Sequence, residues 1–279
     1  MDARLQRRVQ RYGWDRSARH YERYWKRQLE PAQSLLLRMA GLRQGEKVLD
    51  VACGTGLVTL PAADAVGPAG EVVGIDISDR MVEQVARQAA DRGIAHVRSE
   101  RMDAEAFSFP DATFDAVLCG LGLMYVPDPE RSLREMHRVL RPGGRAVSAV
   151  WGSRKRCGWA EIFPIVDARV STEVCPLFFQ LGTGEALALT YRAAGFQQID
   201  TERIDTVLEY DGPDDALGAA FAGGPVAMAY ARFDEADRAG AHAEYLASIE
   251  PYRVDGGYRI PGEFVVVSGM RGQNASLTV

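Results

Sequence analysis

The chain has 279 residues, of which 47% are hydrophobic and 25% charged, and its net charge at pH 7 is −5. This composition is that of a globular protein with a large core and excludes disordered and collagen-like chains. No apolar run approaches the roughly 18 residues that cross a bilayer, and the N-terminal segment lacks the apolar run that is typical of a leader peptide. We therefore expect a cytoplasmic protein that does not enter a membrane.

The N-terminal segment is basic. Residues 1–28 hold nine Lys or Arg residues and three acidic residues. A basic arm attracts phosphate backbones, but the spacing of Tyr21, Tyr24, Trp25 and Leu29 is that of an amphipathic helix with a solvated basic face. We favour the helix and do not expect a nucleic-acid partner.

Short β-branched runs alternate with helical patterns through the first half of the chain, as in repeated β-α-β units. The predicted strands are residues 47–52, 71–76, 95–101, 114–119 and 145–151. The predicted helices are residues 57–66, residues 79–92 with Ser78 as N-cap, and a helix that starts at Asp128 and Pro129 and stops at residues 141–144. Such crossovers predict a parallel, doubly wound sheet.

Beyond Trp151 the pattern is less regular. Residues 183–194 predict a helix closed by a glycine, and residues 196–210 and 264–270 predict two further strands. Residues 152–182 and 211–257 are insertions beside the sheet, the second with two helices. We interpret them as a lid over the sheet, and surface decoration is the alternative.

One strand leads into a turn of small residues. Residues 48–56 read Val-Leu-Asp-Val-Ala-Cys-Gly-Thr-Gly, a buried strand that ends in Asp50 and a small-residue turn before a helix. Such a turn lets the backbone approach a ligand, and the helix N-terminus favours a carboxylate. The next strand ends in Asp76, where a carboxylate can accept hydrogen bonds from both ribose hydroxyls. Together these features predict a nucleotide-like ligand.

Other interpretations of the turn remain. Leu57 stands where a dinucleotide fingerprint has a third small residue, which argues against NAD. The lysine and Ser/Thr of a phosphate-binding loop are missing. A glycine turn without a ligand, with Asp76 as a cap, stays open.

The four cysteines, Cys53, Cys119, Cys157 and Cys175, show no CxxC pair and no histidine at ligand spacing. We expect reduced thiols and no metal site. Cys53 and Cys119 are expected to pack at neighbouring strand ends, the alternative being a redox role.

Four ordered segments, residues 48–56, 73–78, 109–115 and 138–144, resemble class I S-adenosylmethionine-dependent methyltransferases. Within that class they resemble the group related to the ubiquinone/menaquinone biosynthesis C-methyltransferases, and the similarity covers about residues 17–151. The resemblance implies an α/β fold with a doubly wound, mostly parallel seven-stranded sheet in the order 3-2-1-4-5-7-6, an antiparallel last strand and helical cover insertions. It divides the chain into N-terminal helices that cover the cofactor site (1–46), the S-adenosylmethionine-binding core (47–151), and the rest of the sheet with substrate-cover insertions (152–279).

The resemblance also implies where S-adenosylmethionine binds, across the carboxyl ends of strands one, two and four. The residues it assigns to the methionine portion are Asp50, Ala52, Gly54 and Gly56, with Cys119 and Gly120 beneath it and Tyr21 from the N-terminal helix. Asp76 is assigned to the ribose, and Ile77, Met81, Asp103 and Ala104 to the adenine. Ala52 stands where many relatives have glycine, and we expect its methyl to shift the loop slightly without abolishing binding.

The acceptor pocket is expected at His20, Tyr24, Met124, Tyr125 and Trp151. For Tyr21, His20 and Tyr24 the alternative is a helix that packs through its aromatic rings, and for Tyr125 it is a structural hydroxyl. No spacing identifies a catalytic base.

The expected function is transfer of a methyl group from S-adenosylmethionine to a small organic acceptor, hydrophobic or phenolic, with S-adenosylhomocysteine as product. Transfer from a sulfonium needs alignment and exclusion of water more than an acid or a base. Two alternatives keep the fold and the cofactor: a rearrangement or elimination without methyl transfer, and a binding protein without turnover. No residue pattern separates C-, O-, N- and S-methylation or sets the oligomeric state.

Overall fold

The computed structural model describes residues 2–170 and 177–273. The strands are β1 (Lys47–Val51), β2 (Glu71–Asp76), β3 (Val97–Arg101), β4 (Phe114–Gly120), β5 (Leu140–Trp151), β6 (Gln197–Tyr210), β7 (Arg253–Val254) and β8 (Gly257–Met270). The α-helices are α1 (Ala3–Ala40), α2 (Thr59–Val66), α3 (Asp79–Asp91), α4 (Pro129–Val139), α5 (Ile162–Asp167), α6 (Ala186–Ala193), α7 (Pro213–Leu217), α8 (Ala227–Tyr230) and α9 (Glu235–Ile249). A π-helical turn, Gly218–Ala222, follows α7.

The strands form one sheet in the order β3-β2-β1-β4-β5-β8-β6, and the short β7 pairs with β8. Strands β1 to β5 run parallel, and β8 runs antiparallel to both β5 and β6. The predicted doubly wound α/β class and the order 3-2-1-4-5-7-6 are confirmed. The last strand becomes β8 because β7, which has two residues, precedes it.

The core lies around the central strands, which are buried along nearly their whole length in β1, β2 and β4. Such continuous burial is typical of parallel strands covered on both faces. The second half of α1 packs on the sheet through Leu29, Ala32, Leu35 and Leu36, each at most 3% exposed. This packing fixes α1 relative to the strand ends.

The N-terminal segment forms a single helix, where several were expected. Asp2 caps α1 by accepting a hydrogen bond from the N–H of Arg4, and the helix ends at Gly41 in the left-handed conformation.

Of the helices in the described residues, none is long and apolar enough to cross a bilayer.

Some predicted boundaries differ from the structure. The last strand begins at Gly257 rather than at residue 264, because its first half pairs with the end of β6, from Tyr210 opposite Tyr258 to Val207 opposite Pro261. Pro261 and Gly262 interrupt the apolar alternation there and hide the strand from a periodicity argument. The second insertion holds three α-helical segments, α7, α8 and α9, of 5, 4 and 15 residues, instead of two helices.

Candidate functional site

A cavity lies at the carboxyl ends of β1, β2 and β4, and we call it the strand-end cavity. The first half of α1 forms one of its walls through Arg7, Gln10, Trp14 and Tyr21. In an open α/β sheet, ligands bind where the strand order reverses, which in this sheet is between β1 and β4. The cavity therefore occupies the place where this fold binds ligands.

The turn after β1 has an unusual backbone. Ala52 and Gly54 both line the cavity and both have φ of 55°, in the left-handed region. This conformation costs an alanine roughly 1–2 kcal/mol. A methyl group added at Gly122 would overlap the methyl of Ala52. Glycine at position 122 thus makes room for alanine at position 52.

Asp50 supplies a buried carboxyl group beside this turn. Its side chain is 1% exposed, Oδ2 accepts a hydrogen bond from Thr59 Oγ1 at 2.6 Å, and Oδ1 has no partner among the described residues. Burial raises the pKa of Asp50 to about 7, against the hydrogen bond from Thr59, which lowers it. Since an unpaired buried acceptor is unfavourable, Oδ1 suits a ligand that donates a hydrogen bond or carries a cation.

Asp76, at the end of β2, connects two loops at the cavity. Its carboxylate accepts hydrogen bonds from the N–H of Gly54 at 3.0 Å and of Ser78 at 2.9 Å. Burial raises the pKa of Asp76 to about 6, although these backbone hydrogen bonds lower it. Asp76 lines the cavity, whereas the N-cap of α3 is Ser78. The carboxylate therefore does more than cap a helix.

Polar contacts hold α1 against α3. Asp15 accepts hydrogen bonds from Ser78 Oγ at 2.6 Å and from the N–H of Arg80 at 3.1 Å. Glu22, seven residues further along α1, accepts a hydrogen bond from Gln88 Nε2 at 2.6 Å. These contacts position the first half of α1 beside the cavity.

A second set of contacts ties α1 to the loop after β3 and to the start of α3. Arg7 pairs with Asp103 at 2.9 Å and with Glu105 at 2.5 Å, and Arg11 pairs with Asp79 at 2.6 Å. Arg7, Asp103 and Glu105 all line the strand-end cavity. The basic face of α1 is thus partly neutralised by carboxylates of the same chain.

A smaller cavity adjoins the first, and we call it the aromatic cavity. Trp14, Tyr21, Leu121 and Tyr125 line both cavities. All four tryptophans of the chain line the aromatic cavity. Among the described residues, no Asp, Glu, Lys, Arg or His side chain lines it. The two spaces therefore differ in chemistry, and aromatic rings stand between them.

Most of the residues expected at the cofactor lie around the strand-end cavity. From α1, the turn after β1 and the end of β4 these are Tyr21, Ala52, Gly54 and Gly120. From the ends of β2 and β3 and from α3 they are Asp76, Ile77, Met81, Asp103 and Ala104.

Three of the expected residues do not line the strand-end cavity. Asp50 and Cys119 are buried in the strands behind it, each 1% exposed. Gly56, with φ of 100°, packs against Leu60 and Val85. Asp50 and Gly56 border the turn after β1.

The residues expected at the acceptor divide into two groups. Met124, Tyr125 and Trp151 line the aromatic cavity. Tyr24 instead packs against Gly218, where a methyl group would overlap its ring, and His20 accepts a hydrogen bond from Arg19 Nε at the surface. The structure therefore does not bring His20 and Tyr24 to either cavity.

Sequence reasoning expected N-terminal helices over the cofactor site and named Tyr21, but it did not name Arg7, Gln10 or Trp14. Arg7, Gln10, Trp14 and Tyr21 are spaced three, four and seven residues apart, which places them on one helix face. This helical spacing was the signal that could have identified them. Glu105, Leu121 and Gly122, in loops after β3 and β4, also line the cavity, and no pattern marks them in advance.

The cysteines in the described residues are free and buried: Cys53, Cys119 and Cys157. Cys175 lies outside the described residues. Burial raises the pKa of Cys119 and of Cys157 to about 12, so both stay protonated thiols near neutral pH. Residues 2–170 and 177–273 contain no group of three potential metal ligands.

Comparison with known proteins identifies relatives. A methyltransferase-domain family model matches residues 48–144. The chain is 34% identical over 208 residues to the ubiquinone/menaquinone biosynthesis C-methyltransferase UbiE of Azotobacter vinelandii (strain DJ), covering 74% of this chain and 78% of that protein. It is 37% identical over 150 residues to a demethylmenaquinone methyltransferase of Geobacillus sp. (strain WCH70), covering 52% of this chain and 64% of that protein. The chain spans 56% to 64% of the length of four such Geobacillus and Anoxybacillus enzymes.

Solved structures share the fold. The YcgJ protein of Bacillus subtilis superposes with a TM-score of 0.62 at 19% identity, covering 88% of this chain and 99% of that one. The [4+2]-cyclase SpnF superposes with a TM-score of 0.58 at 24% identity, covering 87% and 81%. The identity to UbiE extends over most of both chains. The chain belongs to the class I S-adenosylmethionine-dependent methyltransferases, in the group related to the ubiquinone/menaquinone biosynthesis C-methyltransferases.

Proposed function

We propose that the protein transfers the methyl group of S-adenosylmethionine to a small, uncharged organic acceptor, hydrophobic or phenolic, and releases S-adenosylhomocysteine. One observation carries the proposal: a cavity with carboxyl groups at the strand ends joins an aromatic cavity without ionic side chains, across the rings of Tyr21 and Tyr125. The two spaces fit a polar, cationic donor and an apolar acceptor respectively.

The residues of the strand-end cavity fit the cofactor. The unpaired Oδ1 of Asp50 suits the amino group of the methionine portion, which is a cationic donor. Asp76 suits the ribose hydroxyls, and Asp103 and Ala104 the adenine amino group. Ala52, Gly54 and Gly56 shape the turn around the methionine, Cys119 and Gly120 lie beneath it, and Ile77 and Met81 flank the adenine. S-adenosylmethionine supplies an electrophilic methyl group on a positively charged sulfur.

Tyr21 is suited to hold charge and exclude water rather than to remove a proton. Burial raises the pKa of its phenol, and the nearby carboxylates of Asp76 and Glu22 raise it further, so the phenol stays neutral. Its ring and that of Trp14 meet edge to face at 5.8 Å. Aromatic faces stabilise cations by about 0.5–1 kcal/mol at exposed sites and by about 2 kcal/mol when water is excluded. Tyr21 and Trp14 therefore form a wall that favours a sulfonium over water.

The acceptor side is aromatic. Tyr125 packs edge to face on Trp14 at 5.1 Å and on Phe178 at 5.4 Å. The relatives are named for the methylation of demethylmenaquinone and for ubiquinone and menaquinone biosynthesis, and hydrophobic acceptors of that kind agree with an uncharged pocket. We propose alignment and desolvation, without a general base, as the contribution of this wall.

The same proposal includes a free small molecule as acceptor, in the cytoplasm, rather than a nucleic acid. Arg7, Arg11, Arg23 and Arg27 on α1 pair with carboxylates of the chain itself. These ion pairs reduce the positive charge that a phosphate backbone would meet. The buried free thiols agree with a reducing compartment.

Methyl-labelled S-adenosylmethionine tests the reaction across a panel of aromatic small molecules, peptides and oligonucleotides. We expect label in a small organic product together with stoichiometric S-adenosylhomocysteine. Label that stays on the cofactor while the acceptor is converted would indicate non-methylating chemistry, and label only in macromolecules would overturn the assigned acceptor class.

Asp76→Ala tests the cofactor site. We expect it to weaken binding of S-adenosylhomocysteine by about 1–3 kcal/mol, because charged hydrogen bonds are lost. Isothermal titration calorimetry measures the change. Glu83→Ala is the matched control, since Glu83 is an exposed acidic residue of α3 that pairs with Arg80. Equal affinity of the Asp76 variant and the unmodified protein would remove Asp76 from the site.

A further inference from the structure

We propose that the outward side of α1 binds an anionic lipid surface, so that the protein docks on a membrane without crossing it. We call this side of the helix the outer face of α1. Its residues, all of them exposed, are Arg4, Leu5, Arg8, Tyr12, Arg16, Arg19, Arg23 and Lys26. This docking surface goes beyond the proposed function and does not depend on it.

The outer face is one continuous stripe along the helix. From Arg4 to Lys26 its positions follow one another at intervals of three or four residues, and Leu5 lies beside this line, three residues before Arg8. Residues three and four apart share a helix face. At 1.5 Å per residue the stripe is about 33 Å long. A convex ridge of this length cannot enclose a small ligand, but it can lie along an extended surface.

Most of the positive charge of the outer face is not neutralised by the protein. Arg23 reaches Asp215 at 3.5 Å, with 70% of its own side chain exposed. By contrast, Arg7 and Arg11, which lie outside the stripe, pair with carboxylates at 2.9 Å or less. Among the described residues, no carboxylate pairs with the side chains of the other five cations of the stripe, which are Arg4, Arg8, Arg16, Arg19 and Lys26.

The charge of the chain is unevenly distributed. Nine basic and three acidic residues give residues 1–28 a net charge of +6, whereas the whole chain has −5. Burial lowers the pKa of His20, which lies next to the stripe, and the charges of Arg19 and Arg23 lower it further. An anionic surface attracts such a helix and repels the rest of the chain, so the charge distribution orients the protein with α1 toward the lipid.

Two large apolar side chains lie within the basic stripe. Leu5 is 42% exposed and Tyr12 is 46% exposed, and Tyr12 is four residues from both Arg8 and Arg16. In the headgroup region of a bilayer such side chains leave water while the arginines beside them stay with the lipid phosphates. A nucleic acid would meet the arginines through its phosphates and leave Leu5 in water. The combination therefore favours a lipid surface.

Another face of the same helix forms a wall of the strand-end cavity, through Arg7, Gln10, Trp14 and Tyr21. A helix with its side chains is about 10–12 Å across. Docking through the outer face would therefore bring the cavity to within about one helix diameter of the lipid.

Co-sedimentation of the full protein with vesicles tests the docking surface. The probes are vesicles of phosphatidylcholine alone and vesicles of phosphatidylcholine mixed with phosphatidylglycerol, which is anionic. In about 0.1 M NaCl we expect the anionic vesicles to bind at least about tenfold more tightly than the neutral ones. In about 1 M NaCl the Debye length falls from about 10 Å to about 3 Å, and most of this preference should be lost.

Single substitutions assign the binding to the outer face. Arg8→Gln and Arg16→Gln should each weaken binding to anionic vesicles about fivefold, the ratio that corresponds to about 1 kcal/mol per arginine. Leu5→Ser and Tyr12→Ser leave the charge unchanged and should each weaken binding severalfold, because less apolar surface leaves water.

Two control variants make the same chemical changes elsewhere on the surface. Arg43→Gln removes an exposed arginine from the loop between α1 and β1, and Leu189→Ser removes a leucine of α6 that is 52% exposed. Both should bind the vesicles as the unmodified protein does. Circular dichroism shows that the variants are folded, and the comparison of vesicles on the unmodified protein needs no variant.

Three outcomes would overturn the lipid surface. The first is equal affinity for neutral and anionic vesicles, or binding to neither. The second is binding by the outer-face variants that is as tight as that of the controls. The third is tighter binding to an oligonucleotide than to anionic vesicles, unchanged by Leu5→Ser and Tyr12→Ser, which would assign the stripe to nucleic acid. Each of these outcomes leaves the proposed methyl transfer standing, because that is measured with labelled cofactor in the absence of lipid.

Discussion

Asp50 illustrates how one buried group makes the site depend on pH. In the folded, ligand-free protein its pKa is about 7 because the carboxyl is buried, above the usual value for an exposed aspartate. The folded state therefore holds a proton that the unfolded state has lost between about pH 4 and 7, and the contribution of Asp50 to stability falls as pH rises through that range.

A cationic ligand reverses this dependence. If Asp50 pairs with the amino group of the cofactor, binding favours the ionised carboxylate and releases a proton. We expect the affinity for S-adenosylhomocysteine to increase from about pH 5.5 to 8, with proton release at the lower end. Calorimetry in buffers of different ionisation enthalpy measures both quantities.

Asp50→Asn is the control for this pH dependence. It keeps an acceptor for Thr59 but cannot ionise, so the part of the pH dependence of affinity that is due to residue 50 should disappear. The smaller pH dependence that remains would come from Asp76, whose pKa is about 6. An affinity of the unmodified protein that is flat across the range would mean that no cation pairs with Asp50.

At the scale of elements, the two halves of α1 are held in different ways. The first half is held mainly by polar contacts such as Asp15 with Ser78, whereas the second half buries Leu29, Leu35 and Leu36 in the core. Segments with few buried apolar contacts open at lower free energy. We therefore expect amides of residues 6–22 to exchange with deuterium faster than those of residues 29–40.

Binding of the cofactor product should change hydrogen exchange only in the first half of α1. Saturation with S-adenosylhomocysteine should slow exchange in residues 6–22, and Asp15→Ala should accelerate it, both measured by mass spectrometry. Glu30→Ala is the control, because Glu30 is exposed and its carboxylate accepts a hydrogen bond from Ser34 of the same helix. Uniform exchange along α1 would contradict the distinction.

The local elements were the predictable ones. Asp128 and Pro129 start α4, and Ser78 caps α3, as their side chains dictate. The turn after β1 and the acidic end of β2 likewise lie in the strand-end cavity because a parallel sheet brings its carboxyl ends together.

The unpredicted features depend on contacts between distant residues. Arg7 lies in the cavity wall because Glu105, 98 residues away, pairs with it, and Gln6 donates to the carbonyl of Tyr125 across 119 residues. His20 and Tyr24 were predicted at the acceptor and line neither cavity, because the aromatic spacing on α1 does not say which ring faces the site. Such choices are made by tertiary packing and leave no local signal.

At the scale of the molecule, Glu263 on β8 joins the sheet to the first insertion. It is 6% exposed, pairs with Arg203 at 3.1 Å and Arg156 at 3.5 Å, and accepts a hydrogen bond from the N–H of Ser153 at 3.2 Å. Arg203 also donates to the carbonyl of Gly182 at 3.1 Å. One carboxylate thus connects both ends of the segment that carries Trp159.

Glu263→Ala should lower the free energy of unfolding by about 1–3 kcal/mol, because it leaves polar groups without their partner. Glu202→Ala is the comparison: its ion pair with Arg38 joins side chains that are 43% and 65% exposed, and such a pair contributes at most about 1 kcal/mol. Urea unfolding measures both. A Glu263 variant as stable as the Glu202 variant would show that the insertion is held by packing alone.

The placement of every tryptophan around one cavity has a practical consequence. Since the chain has four tryptophans and all of them line the aromatic cavity, light emitted on excitation of indole comes from that place alone. Intrinsic fluorescence therefore acts as a label-free probe of the proposed acceptor site. Its emission spectrum reports the polarity around the indole rings before and after a ligand binds there.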